Sequence, residues 1–197
     1  MPVSLMIKDD LNRLDRVLLS HERALKAKAV PQAINRTVKA VKSHAVKEIS
    51  RKTSIKQKDV RARLRETKAK TGTMTGGVDA RRGTAGNLID FVSASQKNAY
   101  TFRKRTRKGF KHPGVKAKAW GTPKYYEGTF IGRSGKGKLQ VYRRTSAGRT
   151  KITSVAGPSI RHTFISDQVV ASMTSVGRVR FAKELSYAIN NQIRRQK

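Results

Sequence analysis

The sequence predicts an α+β domain: an antiparallel β-sheet or meander flanked by N-terminal helices and a long C-terminal helix. Two observations carry this. Apolar residues recur at helical spacing at both ends of the chain and alternate at strand spacing in its middle. The order is helices, then strands, then helix, where a parallel α/β fold would alternate them. A chain of 197 residues suffices for one core. A single domain over 1–197 is expected: helical over 1–66, β-rich over 67–160 with a basic arm at 97–124, and a C-terminal helix over 161–197.

Taken in order, the first helix opens at Asp9 and Asp10, where the helix dipole favours negative charge. In DDLNRLDRVLLSHERAL, Leu11, Leu14, Leu18 and Leu25, with Val17 beside them, form one amphipathic stripe. Pro31 suits the first turn of a second helix, where a missing N–H costs nothing. Ile34, Val38, Val41, Ala45 and Ile49 then recur opposite a face of Arg36, Lys39, Lys42 and Lys47. TSIKQKDVRARL reads as a turn and a third helix, with Ser54 as N-cap and Val60 and Leu64 four apart. After Leu64 the helical period stops, and the Thr- and Gly-rich run to Gly86 reads as extended segments joined by turns.

NLIDFVSAS predicts a strand with Ile89 and Phe91 on one face and Leu88 and Val92 on the other. The run YYEGTFIGRSGKGKLQVYRRTSAGRTKITSVAG predicts a meander of three β-rich runs split by SGKG and SAGR, with Leu139 and Val141 opposite Gln140 and Tyr142. From Ser166 to Arg195 helical spacing returns. Val169, Met173, Val176, Leu185, Ile189 and Ile193 are expected on its buried side, with Gly177 as a candidate break. The helix faces around Ile34, Val41, Leu185 and Ile189 are expected to be core rather than interface.

Charge is the dominant feature. Lys and Arg number 45 against 12 Asp and Glu, a formal net charge of +33. Self-repulsion of that size works against the compact state unless something negative neutralises it. From Lys97 to Lys151 there are 17 Lys or Arg against the single acid Glu127. The densest part is TFRKRTRKGFKHPGVKAKAW, Thr101 to Trp120. Its Arg103, Lys104, Arg105, Arg107, Lys108, Lys111, Lys116 and Lys118 are the candidate polyanion contacts, and Phe102, Phe110 and Trp120 are candidate stacking partners if bases are exposed. Docking onto protein alone is the second reading of this stretch. A loop kept soluble by its charge is the third, favoured by Gly109, Pro113, Gly114 and Gly121. The net charge ranks polyanion contact first. There is no zinc-finger spacing, no aromatic RNA-recognition motif and no basic zipper, so contact is expected through phosphates and not through sequence readout.

Catalysis is not indicated. The absence of cysteine excludes disulfides, thiolate metal sites and cysteine nucleophiles, and it fits a reducing cytoplasm. No signal peptide or membrane span is legible, so a soluble protein made without export, and no membrane partner, is expected. The acids are scattered singly apart from Asp9 and Asp10. Asp90 and Glu127 are placed to meet across a sheet, more as arginine partners than as a catalytic pair. His21, His44, His112 and His162 fall in four elements with no HxxxH or HxH spacing, so no metal or cofactor is expected. There is no GxSxG elbow. GRSGKGKL, Gly132 to Leu139, matches the phosphate-loop pattern GxxxxGK until Leu139 takes the place of the magnesium-binding Ser or Thr. It also lies between two strands, which marks a hairpin turn.

At QAINRTVKAVKSHAVKEISRKTSIKQKDVRARL, Gln32 to Leu64, the chain resembles the tailed-phage minor tail protein Z family, also described as tail completion proteins. The resemblance continues at GPSI, Gly157 to Ile160, at Phe164 and at the terminal RFAKELSYAINNQIRR. It covers about half the chain and rests on the order and spacing of short motifs. The segment from Lys68 to Lys124 matches only loosely, so no role for the basic arm carries over. The resemblance implies a non-enzymatic virion protein at the head-proximal end of a long non-contractile tail, assembled in the host cytoplasm. It implies a ring, a homohexamer, between the head connector and the tail tube and terminator proteins, which finishes the tail and holds the genome for ejection. Nonspecific contact with double-stranded DNA would follow from the basic surface. The rival is a stand-alone nonspecific nucleic-acid-binding protein of ribosomal or chromatin-like kind. A nuclease ranks third, since no carboxylate cluster is visible.

Overall fold

A computed structural model describes residues 23–83, 85–102, 114–145 and 151–196. The helices are α1 (Arg23–Thr53), α2 (Gln57–Arg63), α3 (Ala94–Phe102), α4 (Ile160–Phe164) and α5 (Asp167–Gln196). The strands are β1 (Leu64–Thr67), β2 (Gly77–Ala80), β3 (Gly114–Ala117), β4 (Lys124–Glu127), β5 (Thr129–Arg133), β6 (Leu139–Arg144) and β7 (Ile152–Ser154), and a 3₁₀ turn covers Leu88–Phe91. The protein is α+β, as expected. Among the described residues its strands form three small antiparallel sheets, β1–β2, β3–β4 and β5–β6–β7, in place of one continuous sheet. The chain falls into two compact units, one from its N-terminal part to Ile49 with Lys56–Arg82 and Phe164 onward, the other from Ser50–Ile55 and Gly83–Thr163.

In the first unit α1 buries Ala33, Ile34, Val38, Val41, Ala45 and Ile49, the predicted stripe, and α5 buries Val169, Met173, Phe181, Leu185 and Ala188. Burial of these stripes, far more than intrinsic propensity, stabilises helices of this length. His44 reaches Ser172 at 2.8 Å and Arg36 reaches Glu184 at 3.5 Å, so α5 lies along α1. Asn35 fixes the chain after β1 by a two-way bond: Ala69 N–H donates to its Oδ1 at 2.8 Å and its Nδ2 donates to the Ala69 carbonyl at 3.0 Å. A Cβ at Gly76 would stand 2.6 Å from Ile34, so the residues entering β2 rest directly on α1.

Four local expectations change along the helices. Helix α1 runs unbroken through Pro31, which lies in its interior and not in a first turn. An interior proline forfeits a backbone bond and costs about 3 kcal/mol, but Ala29, Val30, Ala33 and Ile34 are buried on either side of it and hold the helix. The expected first helix, with Asp9, Asp10, Leu11, Leu14, Val17 and Leu18, lies outside the described residues apart from its last turn, which is continuous with α1. Ser54 has φ 55° and does not cap α2; the cap is Lys56, which makes no side-chain bond to the helix. Gly177 does not break the terminal helix, which instead begins after a gap at Ile165–Ser166, with the Ser166 carbonyl accepting from Val169 and Val170 N–H. Ile193 is 39% exposed, because eight residues beyond Leu185 a helix has turned about 80° off the stripe.

The second unit has its own core of Leu88, Ile89, Val92, Val115, Ala117, Ala119, Ile131 and Val141, with Phe91, Tyr126, Leu139 and Val155 packed on it. NLIDF, expected as a strand, is the 3₁₀ turn. The Asn87 carboxamide decides this by accepting from Ile89 N–H at 2.9 Å and Val141 N–H at 2.8 Å, a side-chain substitute for the strand ladder. Adjacent Leu88 and Ile89 are then both buried, which strand alternation would forbid. The SGKG turn joins β5 to β6, with Ser134 N–H donating to the Lys138 carbonyl at 2.8 Å. Leu139 and Val141 face the core while the Tyr142 hydroxyl reaches Gln140 on the other face, as the alternation predicts. The YYE segment, expected within the meander, pairs as β4 with the end of the basic stretch. Gly128, at φ 66°, turns the chain between β4 and β5.

Candidate polyanion interface

The β3–β4 hairpin places two of the predicted contact residues. Val115, Ala117 and Ala119 are buried, so the alternating Lys116, Lys118 and Trp120 stand outward. Gly114 permits the pairing: at φ 138° any Cβ would lie 1.8 Å from the Tyr126 carbonyl oxygen. Lys116 is in register with Tyr125, and its Nζ lies 5.5 Å from that ring's centre. At the other end of the hairpin Lys124 sits 5.7 Å from the Trp120 ring centre and 5.2 Å from that of Tyr126, and the two rings are 6.2 Å apart. Trp120 and Tyr125 are 47% and 49% exposed.

Two features hold this surface in place. Trp120 has φ 55° and Gly121 φ 84°, a left-handed pair in which only the glycine is unstrained. A Cβ at Gly121 would come within 3.3 Å of the Arg51 carbonyl. Thr129, 7% exposed, bonds to both strands: it accepts from Val115 N–H at 3.1 Å and donates to the Tyr126 carbonyl at 2.5 Å. Burial raises the Tyr126 pKa above the ordinary phenol value, and its hydroxyl is buried with no hydrogen-bond partner among the described residues.

Electrostatically the hairpin is unmatched. Among the described residues the second unit holds two acids, Asp90 and Glu127, and neither makes a hydrogen bond or ion pair with Lys116, Lys118 or Lys124. The ion pairs Arg36–Glu184, Lys42–Glu66 and Arg180–Glu184 lie in the first unit. A cation–π contact uses the charge of an ammonium but leaves its N–H donors open, so Lys116 and Lys124 are oriented and still able to bind phosphate.

Of the sequence-predicted contacts, Lys116 and Lys118 therefore share one outward face, while Arg103, Lys104, Arg105, Arg107, Lys108 and Lys111 lie outside the described residues. The stretch expected as an arm over 97–124 is in part regular structure: α3 to Phe102, then the hairpin from Gly114. Phe110 lies outside the described residues. Lys124 and Tyr125 belong to the surface but escaped the sequence reading. Their signal was KYYE, a lysine beside two aromatics at strand alternation.

One constellation imitates a catalytic site. His44 Nε2 lies 2.8 Å from Ser172 Oγ and 3.3 Å from Glu48 Oε2. A nucleophile–base–acid relay needs serine and carboxylate on opposite ring nitrogens; here both contacts fall on the same one. Asp90 lies in the 3₁₀ turn and Glu127 at the end of β4, both exposed, with no bond joining them. Among the described residues no three His, Asp or Glu side chains converge as a metal site requires, and no helix is long and apolar enough to cross a membrane.

Residues 9–197 match the model of a family described as prophage minor tail protein Z (GPZ). No match is found among curated proteins or among solved structures.

Proposed function

The chain belongs to the prophage minor tail protein Z family and is thus a structural protein of the phage tail, and on that premise we propose that it forms a ring at the head-proximal end of the tail. There it joins the head connector to the tail tube and terminator, and its basic surface lies against the genomic duplex. The observation that carries the DNA part of this reading is the β3–β4 hairpin, whose Lys116, Lys118 and Lys124 have no carboxylate partner among the described residues.

The physics suits a conduit better than a reader of sequence. Lysines on phosphates release condensed counterions and bind any duplex, with an affinity that falls steeply with salt. Each contact is weak, so repeated copies around one duplex gain through effective concentration. Such a field holds DNA without fixing its register, which a passage for the genome requires. The rival reading, a stand-alone nucleic-acid-binding protein, shares the charge but leaves the family match over residues 9–197 without a purpose.

Two measurements test the proposal. Electron microscopy of purified tails carrying a labelled copy of the chain is expected to show the label where the tail meets the head; label along the tube or at the distal tip overturns that position. Native mass spectrometry of the purified chain is expected to give a closed ring, six subunits by the family expectation. A monomer that binds RNA tightly and is absent from tails would favour the rival.

A further inference from the structure

The three-stranded sheet of the second unit turns Ile131 and Val141 to the core and its other face outward. That outward face differs in kind from the lysine hairpin. In register, Phe130 stands opposite Tyr142, and Arg144 opposite Ile152. The Phe130 and Tyr142 rings stack with centres 6.0 Å apart, and the Arg144 guanidinium lies 5.4 Å from the Phe130 ring centre. Gly132 makes room for this arrangement: a Cβ there would meet the Tyr142 ring at 3.1 Å and the Phe130 ring at 3.7 Å. The Tyr142 hydroxyl is already satisfied by Gln140 Oε1 at 2.9 Å. Ile152, on the edge strand, is 48% exposed.

We infer that this face, centred on Phe130, Tyr142, Arg144 and Ile152, docks an acidic protein surface that carries an apolar or aromatic side chain at its centre. Two stacked rings and an arginine over one of them are the residue types enriched at the centres of protein interfaces, where lysine is depleted, and the exposed isoleucine adds apolar area beside them. Duplex DNA gives such rings nothing to stack on, because its base faces are already stacked on one another. The partner is acidic by charge complementarity: Arg144 lies on the face itself, Lys138 is exposed in the turn at its end, and none of the sheet's strands carries an acid. A second copy docked face to face is disfavoured, because Arg144 would meet a face with no acid of its own. This inference is independent of the DNA reading, since it uses neither the lysine hairpin nor a nucleic acid.

The test compares probes on the full chain. A random glutamate–tyrosine copolymer, polyglutamate of equal length, a 20-base-pair duplex of random sequence and a 15-residue oligothymidylate would be titrated against the wild type and the double variant R144A/I152S. Both substituted side chains are exposed, so the thermal midpoint should hold. The wild type is expected to prefer the copolymer to polyglutamate about tenfold, the size of a typical anchor residue's effect. The double variant is expected to lose that preference and keep duplex affinity within about twofold. An unchanged copolymer preference in the variant overturns the inference. So does a loss confined to the oligothymidylate, which would make the face a platform for single-stranded nucleic acid. Variant K116A/K118A is expected to show the reverse pattern, weaker duplex binding with the copolymer preference intact, so failure of the DNA reading would be visible separately.

Discussion

At the scale of single residues, two side chains in the second unit make opposed statements. Tyr126 buries a hydroxyl without a partner among the described residues, and a buried unpaired polar group costs on the order of 1–3 kcal/mol. Tyr126→Phe is therefore expected to raise the unfolding free energy by about 1 kcal/mol in a denaturant titration. A loss of stability would reveal a partner for the hydroxyl. Asn87 is the converse: it accepts from two backbone N–H groups and its Nδ2 donates to the Val141 carbonyl at 3.3 Å. Asn87→Ala should cost about 2–4 kcal/mol, because the N–H donors of buried Ile89 and Val141 are both left without their acceptor. Hydrogen exchange should speed up most at Val141 and Ile89. This residue also shows where sequence reading fails. Leu88 to Val92 have strand composition, and nothing local reveals that the asparagine before them will bond across to Val141, 54 residues on. Lys116 and Lys118, by contrast, were legible through charge density, and the strand Gly114–Ala117 then turns Lys116 outward.

At the scale of elements, the long helices were legible and their punctuation was not, while α3 formed where the end of a strand and the basic arm were expected. The apolar stripes of α1 and α5 follow from spacing, and the structure buries most of them. Pro31 misled because proline is ordinarily a starting signal, whereas burial on both sides of it overrides the local cost. Pro31→Ala restores a helical N–H worth about 3 kcal/mol and removes about two buried methylenes at roughly 0.8 kcal/mol each. The net expectation is a gain of about 1–2 kcal/mol, read as a higher thermal midpoint; a lower midpoint would mean that the ring fills space no relaxation can close. The strands β4 to β7 were legible as strands while β3 was expected as part of the arm, and the partner of β4 was not legible. Period 2 says which face a residue takes and leaves open which strand lies alongside, so YYE went to the meander when it pairs with Gly114–Ala117. The candidate site was accordingly found in part: its lysines came from charge density, while Lys124 and Tyr125 became part of it only through that pairing. The six basic residues from Arg103 to Lys111 lie outside the described residues.

At the scale of the whole molecule, a charge of +33 is the fact that most needs a counterpart. The family membership supplies a setting, the phage tail, and the second unit supplies surfaces whose Lys116, Lys118, Lys124 and Arg144 pair with neither of its two described acids. On the readings proposed above, its two outward surfaces differ by chemistry: lysines over aromatic rings on the hairpin would suit phosphate, and the arginine–aromatic face of the larger sheet would suit protein. The most direct measurement of the central claim is the affinity of the purified chain for duplex DNA of random sequence as salt is varied. With 6–10 phosphates engaged, affinity should fall by about 10³–10⁵ between 50 and 200 mM salt, and two duplexes of unrelated sequence should superimpose. The K116A/K118A variant should flatten the slope by about one for each phosphate it no longer engages. An affinity that ignores salt, or that distinguishes the two sequences, would contradict the account.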